Sequence, residues 1–488
     1  MVSSVSSDNS STLASPVAHE FRASTGFITF VVTLAAFTDS FLYGLIVPVT
    51  PTALEQRVGI APEDVQRWVA ILLALDGLAW LMTSPITGYL ADRVQSRQSV
   101  LLAGLPALVV STGLLWVGNS VMLWALGRIL QGASAAVTWT VGLALLTDTV
   151  DKERLGESLG YMSMGTMAGT TAGPLLGGII YQLGGYHAVF GAVIALIAVD
   201  AILRLAMVEK RETGTHKDRS GDDEQRQARA EASDSDPLLR GAGSSSSNYG
   251  ALRSPAVDDG EDFDPPPQRA AMLVLLSTPK ILLSLWAYLA VSMTFTSLDS
   301  VGQGLVFLPL SITQIIDPLV GRICDKYPRA RRGIASAAFL CAAGACNALR
   351  IVTHDSSAQK VALCVLLAAL GVSLSFAVSP ILLSIDETLD AIEQKDPGSL
   401  GAGGAVAQAY GLVNCAFAGG ALVGPMLGGL VRSMAGWGTL GGVVGLIHAV
   451  TAVGLWVLDQ DQQVVVVVVV IFNAPGIARR TPIVPDLP

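Results

Sequence analysis

Charge is the scarcest property of this chain. Of its 488 residues only 14% are Asp, Glu, Lys or Arg, well short of the roughly 25% of a soluble globular protein. Apolar residues reach 51% and mean hydropathy is +0.55. That excludes a string of soluble domains and leaves a chain that folds in lipid. Cysteine is scarce as well. Cys324, Cys341, Cys346, Cys364 and Cys415 lie in or beside apolar segments without metal-ligand spacing, so they read as small packing residues, and neither a metal module nor a disulfide framework is expected. His187, His354 and His448 stand far apart and no nucleophile-base grouping is legible, so an enzyme site is not expected. No GxxxxGK[ST] loop is present, which removes an ATP-driven pump. The net charge of -9 gathers largely in one polar loop, so no nucleic-acid surface is expected. Residues 1–20 are polar and serine-rich and the first apolar run is long enough to span, so no cleavable leader is expected.

What is present is long apolar runs. At about 20 residues per crossing, twelve transmembrane helices are expected, six before residue 209 and six after residue 279. The fifth and sixth fall at 156–182 and 186–208, the eighth at 303–322. The expected organisation is a cytoplasmic N-terminal tail (1–25), a six-helix bundle (26–208), a disordered cytoplasmic linker (209–278), a second six-helix bundle (279–458) and a C-terminal tail (459–488). The linker is Ser-, Gly- and Pro-rich with no apolar period, and its Asp234 to Leu239 segment resembles an acidic dileucine sorting signal. The short distance between the seventh and eighth spans implies a tight hairpin near Asp299 to Gly302. Val464 to Phe472 is too short to cross as a helix and is assigned no function. Basic residues gather on one side of the membrane, including Arg93, Arg97, Lys152, Arg154, Lys326, Arg331 and Lys395, which puts both termini and the linker in the cytoplasm.

The spans carry an internal repeat. Gly160, Gly169, Gly173-Pro174 and Gly177-Gly178 return at the same spacing as Gly411, Gly420, Gly424-Pro425 and Gly428-Gly429. Positions four apart share one helix stripe, so each set presents a face without side chains. In lipid such faces let helix backbones approach closely, and the embedded prolines are expected to bend the axis. The chain is thus a duplication, with one such helix in each half.

Further motifs repeat across the halves. Gly88-Tyr-Leu-Ala-Asp92-Arg93, followed by Arg97, is matched by Gly321-Arg-Ile-Cys-Asp325-Lys326, followed by Arg329, Arg331 and Arg332, with Pro85 and Pro318 three residues ahead of the glycines. A carboxylate at a helix end can accept from backbone amides and pair with arginines, forming a latch that closes in one conformation. Arg128-Ile-Leu-Gln131-Gly132 lies in the fourth span. Together these resemble the major facilitator superfamily, and the Gly-Pro repeat resembles the motif of its antiporter branch. Asp39, midway along the first span with Val47-Pro48 after it, resembles the first helix of vesicular-amine-transporter-like drug/proton antiporters, where an acid serves protons or cationic substrate. Asp386 and Glu387 stand where that family carries another acid. The chain departs from the vesicular amine transporters in having Asp76 and Asn414 where they pair a lysine with an aspartate, so their substrate does not carry over.

The resemblance implies an all-α membrane protein of two pseudo-symmetric bundles that works as a monomer, without cofactor or metal, and exports an organic compound in exchange for protons. Asp39 and Asp76 are expected to handle protons or substrate with Arg128, Gln131, Asp386, Glu387 and Asn414. A carboxylate at mid-membrane depth costs about 2.5–3.5 kcal/mol on insertion scales, so Asp39 should face a cavity or a partner, with Arg128 the best partner in its half. Asp386 and Glu387 lie close enough to the cytoplasmic edge for simple solvation to compete. The plasma membrane is the expected location, the vacuolar membrane the alternative. A proton-coupled importer on the same scaffold and a non-transporting membrane sensor are the rival readings.

Overall fold

The computed structural model describes residues 16–94, 96–209, 269–299, 308–354, 356–401 and 404–457, all within one compact unit. The sorting-like segment, the hairpin near Gly302 and the valine tail lie outside these residues. Two expected irregular stretches are partly helical: α1 (Pro16–Arg22) precedes the first span, and α7 (Arg269–Ser277) occupies the end of the expected linker. Apolar Ala271 and Leu275 of α7 are buried in the core, which explains why this stretch folds despite its polar neighbours.

The spans follow as α2 (Thr25–Ala53), α3 (Pro62–Ala91), α4 (Arg97–Val117), α5 (Val121–Thr149), α6 (Leu155–Ala206), α8 (Pro279–Asp299), α9 (Leu308–Ile312), α10 (Asp317–Lys326), α11 (Arg331–Ala348), α12 (Ser357–Lys395), α13 (Val406–Ala435) and α14 (Trp437–Val457). Ten helices among the described residues are long and apolar enough to cross a bilayer. One of these, the 52-residue α6, holds both the fifth and sixth expected spans and turns at Gly185, whose φ of 70° and ψ of -169° suit only glycine. The eighth span is not one helix: α9 and α10 are joined by a 3₁₀ turn, Thr313–Ile316. No strand occurs among the described residues.

The glycine stripes dictate the packing within each half. A Cβ on Gly169 would fall 2.9 Å from Phe41 N, and one on Gly173 would fall 2.7 Å from Phe41 O. Both atoms belong to the backbone of α2. In the second half a Cβ on Gly420 would strike Leu289 O, and one on Gly428 would lie 2.6 Å from Ser297 O, both on α8. Only residues without a side chain permit this approach. Gly178 and Gly429 face open space, so the second glycine of each pair plays no part in it. Pro174 and Pro425 sit inside their helices without interrupting them. Pro174 packs onto Gly44 of α2.

Two main crossings join the halves, α3 with α13 and α6 with α10, and α5 also touches α13. They are related by the repeat: Gly411 sits on Ser84 of α3, and Gly160 sits on Asp317 and Pro318 of α10. Replacing Gly173 or Gly424 by Leu is expected to cost about 1–3 kcal/mol by overpacking, read as a lower Tm of the purified protein, whereas Gly178→Leu and Gly429→Leu should leave Tm unchanged. Equal losses at all four positions would contradict this assignment of the stripe.

Candidate functional site

Four spans begin with a serine that caps its own helix: Ser24, Ser96, Ser120 and Ser356 each accept from a backbone amide three residues on. Others do not, α3 and α11 among them. Of these uncapped spans, α6 begins after Arg154 and α13 after Ala405, which is left-handed at φ 53°, and neither supplies a side-chain cap. Their exposed first-turn amides are capped from the opposite half instead. Asp92 accepts from Ala407 N at 3.0 Å, Gln408 N at 2.9 Å and Gln408 Nε2 at 3.1 Å. Asp325 accepts from Gly156 N at 2.8 Å and Glu157 N at 2.9 Å. Each carboxylate thereby also meets the positive end of a helix dipole.

Each clamp has an arginine behind it. Arg97 donates to Asp92 at 3.0 Å and to Asp148 at 2.8 Å. Arg331 lies 3.9 Å from Asp325 and donates to Glu387 at 2.5 Å and to Cys324 O at 2.9 Å. The glycines of the motif allow the contact, since a Cβ on Gly88 would strike Ala407 O and one on Gly321 would strike Gly156 O. Arg93 and Lys326 turn away, onto the rings of Tyr89 and Tyr327. Asp386 and Glu387 belong to this same cluster: Lys152 lies 4.0 Å from Asp386 and also pairs with Asp390. Asp148, Arg331 and the Glu157–Arg322 pair at 2.5 Å complete the set. Their signal in the sequence is the recurrence, in both halves, of an acid at the end of the even-numbered span.

At the midplane Asp39 and Asp76 are 7% and 5% exposed, and one carboxylate oxygen of each lacks a hydrogen bond. Neither forms an ion pair among the described residues. Arg128 is not the partner of Asp39: its Nη1 donates to Gln131 at 3.0 Å and its guanidinium lies 5.5 Å from the centre of the Tyr43 ring, because residues three apart meet on one helix face. Arg128 still exerts its field on Asp76, and Asp39 feels Asp76, Asp200 and Arg204. The last two form a fully buried pair at 2.7 Å in the second part of α6, visible in the sequence as an acid and a base four apart inside an apolar run. Buried polar atoms without partners are costly. They gather here: Thr38 Oγ1, Asp39 Oδ1, Asp76 Oδ1, Arg128 Nε, Gln131 Nε2 and Thr138 Oγ1.

Asn414 lies apart from Asp76, in the α3–α13 crossing. It donates to Ser84 Oγ at 3.0 Å and Thr140 Oγ1 at 3.1 Å and accepts from Trp80 Nε1 at 3.0 Å. Trp80, Trp139, Tyr288 and Phe417 pack around this knot, with ring centroids 5.5–6.4 Å apart. Beside them is a cavity of about 20 Å³, lined in part by Ser163, Thr166 and Gln314.

Comparison with known proteins places this geometry. The family described as Major Facilitator Superfamily matches residues 32–395. An uncharacterised MFS-type transporter of Schizosaccharomyces pombe is 30% identical over 434 residues, 84% of this chain and 90% of that one. The multi-drug resistance efflux pump PmrA of Streptococcus pneumoniae is 32% identical over 179 residues, 36% of this chain and 44% of that one. Among solved structures, the human organic anion transporter MFSD10 superposes with a TM-score of 0.59 at 18% identity, covering 88% of this chain and 99% of that one.

Removing a shared cap should favour opening at the cytoplasmic face. Asp92→Ala is expected to shift that equilibrium by about 1–3 kcal/mol, read as faster maleimide labelling from the cytoplasmic side of Ser84→Cys in a cysteine-free background. Arg322→Ala, at a side chain 64% exposed, should change the rate little. Unchanged labelling in Asp92→Ala would refute the clamp.

Proposed function

The chain belongs to the major facilitator superfamily, and from that premise we propose that this membrane transporter exports an organic compound from the cell across the plasma membrane in exchange for protons. The observation that carries the reading is Asp39: a carboxylate buried in the first membrane helix with an oxygen that no protein group satisfies. An intramembrane acid of this kind is a functional group by default, because its cost in lipid is not offset by a structural partner. Asp76 stands within its field.

The cycle follows from competition. With the outer side open, the acid pair takes up a proton. With the inner side open, it releases that proton and substrate binds. A pH difference of one unit provides about 1.4 kcal/mol per proton, and 100 mV adds about 2.3 kcal/mol per charge moved. The outward direction is supported by the efflux-pump relative and by the resemblance of the Gly-Pro repeat to the motif of the antiporter branch.

In everted vesicles from cells expressing the chain, an acid lumen should accelerate uptake of substrate dyes drawn from a drug-like panel. Asp39→Asn should abolish that dependence. Acceleration only when the lumen is alkaline would establish import instead, and full coupling in Asp39→Asn would remove Asp39 from the mechanism.

A further inference from the structure

The duplication extends to the end of each bundle away from the clamps, and there the two halves differ. The clamp arginines Arg97 and Arg331 align α4 with α11, and the left-handed glycines Gly185 and Gly436 align the second part of α6 with α14. By that register Tyr186 and Trp437 are equivalents, and each donates to an equivalent carbonyl: Tyr186 Oη to Leu115 O at 2.6 Å, Trp437 Nε1 to Leu349 O at 3.1 Å. The neighbouring positions have changed character. In the first half Trp116 donates to His187 Nδ1 at 2.9 Å and stacks on Phe190, so rings fill the space between the helices. In the second half these three positions are Arg350, Gly438 and Gly441. A Cβ on Gly441 would fall 2.5 Å from Cys346 O, so the helices meet backbone to backbone on their inner side and their outer side is left bare. The result is a groove of about 670 Å³, lined by Asn347 and Arg350 at the end of α11 and by Gly438, Gly442, Gly445 and Ala449 of α14.

Arg350 lies along this groove. A Cβ on Gly438 would come within 3.2 Å of the Arg350 Cβ, and one on Gly442 within 2.6 Å of its Nη2, so the side chain covers the glycine face of α14. Among the described residues Arg350 makes no hydrogen bond or ion pair, and no acidic side chain lines the groove. Asn347 donates to Ala343 O at 2.9 Å, which leaves its second amide hydrogen for another acceptor. Trp437, bonded to the residue next to Arg350, opens its span, where tryptophan sits at head-group level. Further down α14 the same side continues in exposed Leu446, Val450 and Val453. An occupant therefore needs a negative charge at head-group level and an apolar body below it. A free inorganic anion lacks the second. A helix of a second copy would need the bare glycine face for close backbone approach, and Arg350 covers that face. The fork of a guanidinium matches a phosphate, whereas a head group with its own ammonium finds no acid here to receive it. We infer that the groove between α11 and α14 binds an anionic phospholipid, its phosphate held by Arg350 and Asn347 and an acyl chain lying along the glycine face of α14. The assignment is independent of the direction and coupling of transport.

The test is native mass spectrometry of the purified, delipidated full chain in detergent, titrated with phosphatidylglycerol, with phosphatidylcholine of the same acyl chains, or with inorganic phosphate. Wild type should bind a first phosphatidylglycerol saturably and more tightly than phosphatidylcholine, and excess inorganic phosphate should not displace it. Arg350→Ala should weaken that binding by about tenfold, the effect of losing a charge-assisted hydrogen bond, with Arg350→Lys in between. Ala449→Phe leaves Arg350 in place and fills the groove below it, so it should weaken binding as well. Arg67→Ala, at an exposed arginine at the same end of the other half, should leave it unchanged. Equal binding of the two lipids, binding unmoved by Arg350→Ala or by Ala449→Phe, or an equal loss in Arg67→Ala would show unselective lipid contact and overturn the assignment. Displacement by inorganic phosphate would establish a soluble-anion site in its place. A dimer without bound lipid that Ala449→Phe dissociates would establish self-association, and either result overturns the assignment too.

Discussion

Two helices of this protein begin with backbone amides that their own sequence leaves uncapped, and each is capped by an aspartate from the opposite half. This arrangement ties local helix stability to the relation between the halves. When the halves meet at the cytoplasmic face, Asp92 and Asp325 satisfy α13 and α6. When they part, four amides lose their acceptors and two carboxylates lose their donors together. A charge-assisted hydrogen bond contributes about 1.5–3 kcal/mol net, so the two clamps hold several kcal/mol, comparable to the gap between two working states of one protein. The arginines behind them keep each aspartate oriented, through Asp148 in one half and Glu387 in the other.

The duplication explains both the stability and the asymmetry. Each half is welded along a glycine stripe, α2 to α6 and α8 to α13, where contact between backbones leaves no room for adjustment. The copies have diverged at the crossings between the halves. The first crossing has become a satisfied polar knot around Asn414. The second keeps Asp317, buried with both carboxylate oxygens lacking a hydrogen bond. Asp39 and Asp76 lie in the first half, whereas the clamps are common to both.

Much of this was legible before any coordinates. Helix spacing and the Gly-Pro repeat are local patterns, and they specify which face of α6 and of α13 must be bare. The loops at Asp92 and Asp325 read as paired latches because their residue order repeats. The partners of the acids were not legible, since they depend on residues hundreds of positions away: Arg128 reads as the partner of Asp39 by charge, yet its local neighbour Gln131 holds it. Asp386 and Glu387 read as acids near the edge of the tenth span, but their partners Lys152 and Arg331 were not legible. Asp317 went unread because an aspartate before a proline has the pattern of a turn, and the broken helix that carries it is too polar to stand out. One clue was present and unused: a helix starting after Arg154 or Ala405 has no serine, threonine, asparagine or aspartate to begin it.

The central claim is that the two borrowed caps are released together. Hydrogen exchange at the amides of Ala407 and Gln408 and of Gly156 and Glu157, compared between wild type and Asp92→Asn, tests it most directly. The account expects faster exchange at all four amides, although the substitution touches only the first pair. Faster exchange at Ala407 and Gln408 alone, with Gly156 and Glu157 as protected as before, would show that the clamps act independently and would contradict it.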